Sequence, residues 1–366
     1  MNVAPPPRWV RRLVVAPLVV LLAVALLPTS FLFVVFVAAV VSWALPGRLR
    51  VVRAVWIACF YVLWDAAAVV ALFALWVASG FGWAVRRAPF RRAHVRLAGA
   101  MLSVLFWQVR WTLRLRIEVD LSDAAGLDDE PVLVVSRHAG PGDSFIIMDR
   151  ILNRFRREPR VVLKDTLQWD PAIDALLHRI PAYFVVPRSR RRAGAASGTD
   201  AVAHLAARMA PDAALLLFPE GGNVTPRRRD ARIAALRAVG EDHLADRAEQ
   251  MPHVMAPHVG GFLAALDGTP TTGVAVVAHT GLEDLVTPRD IWRELPMDKK
   301  ITMKVWSTPR VDLPAGDDER AAWLYAQWAR LDAWLATEGA PTARSADRTA
   351  HDDGARPGEG RAPSGG

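Results

Sequence analysis

The sequence predicts an α/β domain with a largely parallel central sheet flanked by helices, preceded by an N-terminal membrane-embedded helical segment. Three observations predict it. Residues Leu13–Leu45 run for 33 positions without a charge, and Ala54–Val85 for 32 interrupted only by Asp65. After Asp120 the pattern changes to short apolar runs separated by helical stretches, which is the signature of βα alternation. Finally, the 366 residues are 52% hydrophobic and 22% charged, enough to bury a core and too apolar for a disordered chain.

The charge belongs to the N-terminal segment. Of 45 Lys and Arg and 37 Asp and Glu, ten arginines and one acid lie in residues 1–95, so the remaining 271 carry 35 and 36. A nucleic-acid groove would need a basic excess there, and no nucleic acid is expected as a partner. The single cysteine, Cys59, excludes an intramolecular disulfide framework and a multi-cysteine zinc site.

Residues 1–95 are expected to be membrane anchor helices. Each apolar stretch exceeds the ~20 residues a helix needs to cross the hydrocarbon core. Arg8, Arg11 and Arg12 precede the first stretch as they would a secretory signal, but no small-x-small site followed by polar sequence appears and the apolar run resumes at Phe31. The segment is expected to stay. Arginine clusters Arg8/Arg11/Arg12, Arg48/Arg50/Arg53 and Arg86/Arg87/Arg91/Arg92 all fit one membrane side if each stretch dips in and returns, with Pro28-Thr29-Ser30 as the first turn. Two single spans are the alternative. Either way the residues after Arg86 lie on the side of the N-terminus, the cytoplasmic face by the positive-inside bias. Trp9, Trp43 and Trp83 suit the headgroup layer at the ends of the runs. Asp65 is expected to make a polar contact to protein, because a carboxyl at membrane depth is costly. His94–Val119 has apolar residues at helical spacing among arginines, and reads as an interfacial amphipathic helix, or a surface helix, running into a strand.

In residues 96–337 the expected strands are Val132–Val135, Val161–Leu163, Tyr183–Val186, Leu215–Phe218 and Gly273–Ala278. The active site of such a sheet gathers at the carboxyl ends of its strands. The first of them ends in Ser136-Arg137-His138-Ala139-Gly140-Pro141-Gly142-Asp143, and Ile146–Phe155 reads as a helix. A loop this short lets Asp143 fold back on His138, fixing one tautomer and leaving the other ring nitrogen to take a proton from an alcohol. Helix capping by Asp143 is the plainer alternative. Leu215–Phe218 is followed by Pro219-Glu220-Gly221-Gly222-Asn223, a carboxylate beside exposed backbone amides at a strand end. Arg188 and Lys164 follow two further strands, where either would suit a phosphate. Arg190/Arg191/Arg192 and Arg227/Arg228/Arg229 are candidates for anionic phosphates or for plain solvated loops.

His138-x-x-x-x-Asp143, the strand-terminal Arg188, and Phe218-Pro219-Glu220-Gly221 resemble the motifs of the glycerolipid acyltransferases, the group that includes 1-acylglycerol-3-phosphate acyltransferase. The resemblance spans about Pro131 to Thr280, with the motif core at 131–280. Ala256-Pro257-His258-Val259-Gly260-Gly261-Phe262 followed by Gly273-Val274-Ala275-Val276-Val277 looks like the fourth block, and is more similar to the lysocardiolipin and lysophosphatidylinositol acyltransferase-like branch. The resemblance implies acyl transfer from acyl-CoA or acyl carrier protein to a lysophospholipid hydroxyl, in phospholipid synthesis or remodelling. It implies His138 as general base, Asp143 as its orienter, Arg188 and Lys164 on the acceptor phosphate, Glu220 and Gly221 shaping the acceptor site, and no acyl-enzyme. Departures are Arg137 where many members have asparagine, Pro187 in place of an acid, and Gly222-Asn223 in place of a Thr-Arg pair.

The histidines lack the spacing of a zinc protease, and no metal or bound cofactor is expected. Absence of a Gly-x-Ser-x-Gly elbow, a Walker loop and a dinucleotide glycine fingerprint argues against those classes. Residues 338–366, rich in Gly, Pro and Ala, read as a disordered tail. A non-catalytic lipid-binding protein on the same fold, and an acyltransferase for a non-glycerol lipid, are the competing functions.

Overall fold

A computed structural model describes residues 4–28, 30–44, 49–124, 127, 130–140, 142–186, 190, 197–207, 209–283 and 288–339. The N-terminal part is helical: α1 (Arg8–Leu26, with a π turn at Arg11–Val15), α2 (Ser30–Ala44), α3 (Arg50–Ala78) and α4 (Ala88–Leu113). The break expected at Pro28 is present, and Ser30 Oγ donates to the Ala25 carbonyl across it at 2.6 Å. The second apolar stretch corrects the hairpin reading. It is one 29-residue helix, because no Pro or Gly interrupts its backbone ladder between Arg50 and Ala78. Arginine clustering alone suggested a return that the local sequence does not support. α1 and α3 are long and apolar enough to cross a bilayer, by length and composition. α1 and α2 both pack on α3, and Leu21, Phe33, Phe36 and Phe73 remain exposed on the surface of this helical group.

The rest of the described chain alternates: β1 (Arg116–Asp123), β2 (Val132–Ser136), α5 (Asp143–Asp149, continued by a π turn at Arg150–Arg154), β3 (Glu158–Lys164), α6 (Pro171–Leu177), β4 (Ala182–Val185), α7 (Gly198–Ala206), β5 (Ala213–Leu217), α8 (Pro226–Ala238), α9 (Asp242–Glu249), α10 (Val259–Gly268), β6 (Gly273–Thr280), α11 (Pro288–Glu294), β7 (Lys300–Thr308) and α12 (Asp317–Thr337). The sheet has seven strands in the order β1-β7-β6-β2-β5-β3-β4. All adjacent pairs are parallel except β6 with β7. The sheet is therefore largely parallel, as expected, with β1 and β7 reversed at one end.

Both faces of the sheet are covered, so the central strands are apolar on both sides. Along β2, Leu133 and Val135 enter the core formed with α7, α8, α10 and α12, whereas Val132 and Val134 enter the one formed with α4 and α5. The helical group is tied to the domain by polar contacts. Asp65 accepts from the Ala172 N–H at the start of α6 at 3.1 Å, which is the protein contact expected of it. Arg11 pairs with buried Asp174 at 2.7 Å and also donates to Gln168 at 2.8 Å.

Candidate active site

The register of the central strands assembles the site. β2 and β5 pair Val135 with Leu217, so His138 and Glu220 each stand three residues beyond that pair, just past the strand ends. β6 lies on the other side of β2, with Ser136 opposite Val277, and brings its own end, His279 to Glu283, to the same edge.

His138 Nδ1 lies 2.6 Å from Asp143 Oδ2. The same oxygen accepts from the N–H groups of Ala139 at 3.0 Å and Gly140 at 3.4 Å, and Asp143 Oδ1 accepts from the Ser144 N–H at 2.5 Å and the Ser144 hydroxyl at 3.1 Å. The left-handed turn at Gly142, φ 96°, lets the loop fold back so that the first residue of α5 meets the ring. Burial works against the Asp143 charge, but the hydrogen bond from His138, the two neighbouring imidazoles and the Gly140 N–H outweigh it and hold the carboxyl below its ordinary range. A carboxylate only accepts, so Nδ1 of His138 carries a proton, and it is Nε2 that presents the lone pair of the neutral ring. That Nε2 has no partner among the described residues, and the side chain keeps 20% of its surface open. The ring rests on Phe218, with centroids 4.8 Å apart. The pair can therefore do what general-base chemistry requires.

Glu220 is brought to the same place in a different role from the one expected. It is buried, and Oε2 accepts from the His138 N–H at 2.8 Å while Oε1 accepts from the Met255 N–H at 3.0 Å and from Trp328 Nε1 at 3.4 Å. Burial raises its pKa, and the nearby Arg137 charge and these donors oppose the rise. Its oxygens are occupied by the protein, so Glu220 holds the backbone of the base rather than lining an acceptor hollow. Gly221, φ 70°, forms the turn after it, and its N–H donates to the Phe218 carbonyl at 3.0 Å. At Gly222, φ 149°, an added Cβ would stand 2.4 Å from Arg228 Nη1. The Arg228 side chain folds back from α8 over this turn and donates to the carbonyls of Asn223 at 3.0 Å and Gly221 at 3.2 Å. A cation thus sits beside the Glu-Gly turn although residue 223 is not arginine.

The other basic candidates separate. Lys164 is exposed at the carboxyl end of β3 and makes no ion pair among the described residues. Arg188 lies outside the described residues, as do Arg191 and Arg192. Arg190 grips Asp165 with two contacts of 2.9 Å. Arg229 is buried and donates to the carbonyls of Ala248, Glu249 and Met251, a structural use.

Sequence reasoning missed the layer behind the dyad. Arg137, 2% exposed, donates to Glu283 at 2.7 Å and to the His279 carbonyl at 3.0 Å, and Glu283 also accepts from the Gly281 N–H at 2.7 Å. His279 Nε2 donates to the Arg137 carbonyl at 3.1 Å and lies 4.0 Å from Asp143 Oδ2. Burial and the Arg137 charge lower its pKa, which keeps it neutral. The available signal was the polar cluster His279-Thr280-Gly281-Leu282-Glu283 at the end of an apolar strand. Among the described residues, no three His, Cys, Asp or Glu side chains gather as a metal site.

The family described as Acyltransferase matches residues 116–265. These residues are similar to an acyltransferase domain. The match takes in β1, the dyad, the Glu220 turn and most of α10, so the motifs read from sequence lie inside it except Gly273–Val277, the second half of the fourth block. Among solved structures, the crystal structure of the 1-acyl-sn-glycerophosphate (LPA) acyltransferase PlsC from Thermotoga maritima aligns with 88% of this chain and 97% of its own, at 12% identity and a TM-score of 0.41. No curated protein matches the chain.

Proposed function

We propose that the protein is a membrane-anchored O-acyltransferase that moves a fatty acyl group from acyl-CoA, or acyl carrier protein, to a hydroxyl of a lysophospholipid, 1-acylglycerol-3-phosphate or a related lysolipid. The observation that carries the reading is the buried Asp143 carboxylate on His138 Nδ1, with Nε2 open at the carboxyl edge of the sheet. The acceptor hydroxyl gives its proton to Nε2 as its oxygen attacks the thioester carbonyl. The resulting imidazolium is stabilised by Asp143. When the tetrahedral intermediate collapses, the C–S bond breaks and the thiolate takes that proton, leaving the ester product and neutral His138. A positioned base of this kind contributes about 10²- to 10⁴-fold in rate.

Arg228, on the Glu220-Gly221 turn, and Lys164, at the end of β3, are assigned to the phosphates of acceptor and donor, with Arg188 as a further candidate. The anchor is assigned to α1 and α3 in the bilayer, with α2 between them, and the catalytic edge to the cytoplasmic face with the N-terminal cluster, whose Arg11 pairs with Asp174 of the domain. Such an anchor shortens the route of a lysolipid to His138. Purified protein with radiolabelled acyl-CoA and a panel of lysolipids tests the reading: a labelled diacyl lipid is expected, and folded protein that acylates no acceptor overturns it.

A further inference from the structure

A cleft of about 530 Å³ opens between α4 and the π turn that follows α5, lined by Trp107, Arg110 and Trp111 on one side and Asp149, Arg150 and Asn153 on the other. None of these residues has a part in the chemistry above. Asp143 stands at the far end of α5 from Arg150, about 10 Å away along the helix axis.

The cleft holds more positive charge than the protein neutralises. Arg110 makes no hydrogen bond or ion pair among the described residues, and Arg150 has only Asp149, whose nearest oxygen is 4.0 Å from Nε. Asp149 Oδ1 is already taken by Asn153 at 2.7 Å. Arg150 Nε is buried without a hydrogen-bond partner among the described residues. Burial first, then repulsion from Arg110 and Arg154, lowers the Arg150 pKa, and Asp149 offsets this only in part. Two guanidinium groups, Arg110 and Arg150, line the cleft with one engaged carboxylate, an arrangement that an anion between them would relieve.

The walls say what else that anion carries. Trp107 and Trp111 are each 66% exposed, a large apolar area beside the charge. The Trp111 ring meets Trp56 edge-on at 6.2 Å, and Trp56 meets Phe31 at 5.4 Å, so an aromatic chain runs from the cleft onto α3 and α2. The cleft therefore lies at the border between the apolar helices and the polar domain. Cations that grip a phosphate, with indoles flanking them at that level, match an amphiphile whose headgroup meets protein while its chains stay with the apolar helices.

We propose that this cleft binds one acidic phospholipid of the surrounding bilayer, its phosphate between Arg110 and Arg150 and the start of an acyl chain along Trp107 and Trp111. The site rests on the membrane placement proposed above, not on the acyl-transfer chemistry. The excess of arginine over free carboxylate selects a net anionic headgroup over a zwitterionic one, whose ammonium would meet the same uncompensated positive charge of Arg110 and Arg150.

The test uses the full-length protein in detergent and a photoactivatable phosphatidylglycerol, with the labelled peptides located by mass spectrometry. Label is expected on peptides containing Trp107–Trp111 or Arg150–Asn153, competed by phosphatidylglycerol and not by phosphatidylcholine, diacylglycerol or inorganic phosphate. It should fall at least fivefold in the R110Q/R150Q double variant. The single variant R110Q alters an exposed side chain, keeps the fold, and should lower the label at least twofold. Label unchanged in R110Q, or competed equally by diacylglycerol or phosphatidylcholine, overturns the proposal, and competition by inorganic phosphate reduces it to a small-anion site. Acyl transfer to dispersed lysolipid and resistance to carbonate extraction from vesicles are measured on the same proteins. Loss of turnover with label intact counts against the catalytic reading alone, carbonate extraction counts against the membrane placement, and intact turnover and anchoring without label count against this site alone.

Discussion

Replacing Asp143 by Asn tests whether the carboxylate does more than fill space. Both of its oxygens face backbone donors, Ala139 N–H on Oδ2 and Ser144 N–H on Oδ1, so the amide NH2 of Asn meets a donor whichever way it turns. Turned toward His138, it also forces Nδ1 to become the acceptor, which moves the ring proton to Nε2 and removes the base. Turned away, it leaves a neutral oxygen where an imidazolium must form. A hydrogen bond to a charged group is worth about 1.5–3 kcal/mol, and an unmet buried donor costs about 1–3 kcal/mol. Together these predict a fall in kcat of about 10²- to 10⁴-fold, which is about 3–5 kcal/mol of barrier at 1.36 kcal/mol per decade. Initial rates with saturating acyl donor and lysolipid give kcat, and the acceptor KM should change little. Because the folded Asp143 pKa lies below its ordinary value of about 3.9, its ionised form contributes stability above about pH 4, lost as pH falls through the folded value. The stability gap between wild type and D143N should therefore be constant near neutrality and close in acid. A D143N enzyme within threefold of wild-type kcat would refute the orienting role.

Four further substitutions separate the supporting parts. E220A strands the N–H groups of His138, Met255 and Trp328 and should cost about 2–4 kcal/mol in denaturant unfolding as well as most of the activity; unchanged stability would mean that the brace is not one. R228A should raise the acceptor KM about tenfold or more with a smaller change in kcat, and G222A, whose Cβ would displace the guanidinium, should do the same, with a double variant no worse than either single. Additive losses would place Arg228 elsewhere. R11M removes the main partner of buried Asp174, with Arg12 left at 3.3 Å, and should lower stability in detergent by about 3 kcal/mol, read as a lower melting temperature.

The sequence exposed the parts of this protein that repeat locally. Apolar runs such as Leu215–Leu217 are visible because a strand covered on both faces must be apolar throughout, and the His138 to Asp143 loop because its glycines dictate a tight turn. β7 escaped the same reading: Lys300-Ile301-Thr302-Met303-Lys304 alternates with charge, and its lysines are used laterally on Glu118 and Asp120 of β1. The brace of Arg137 with His279 and Glu283 was hidden for another reason. It joins residues more than 140 positions apart, and no local pattern announces such a contact. Glu220 was found by its motif but given the wrong partner, because a strand-end carboxylate reads alike whether it faces a ligand or a backbone N–H. The hairpin expected in α3 failed because flanking arginines bear on topology, while the absence of Pro and Gly bears on the helix itself.

The central claim is that His138 Nε2 takes the acceptor's proton. Single-turnover transfer of a radiolabelled acyl group from acyl-CoA to 1-acylglycerol-3-phosphate, compared between wild type and H138A at matched folding, tests it most directly. The account predicts a rate lower by about 10²-fold or more in H138A with acyl-CoA binding intact. An H138A protein that forms diacyl product within tenfold of the wild-type rate would contradict it.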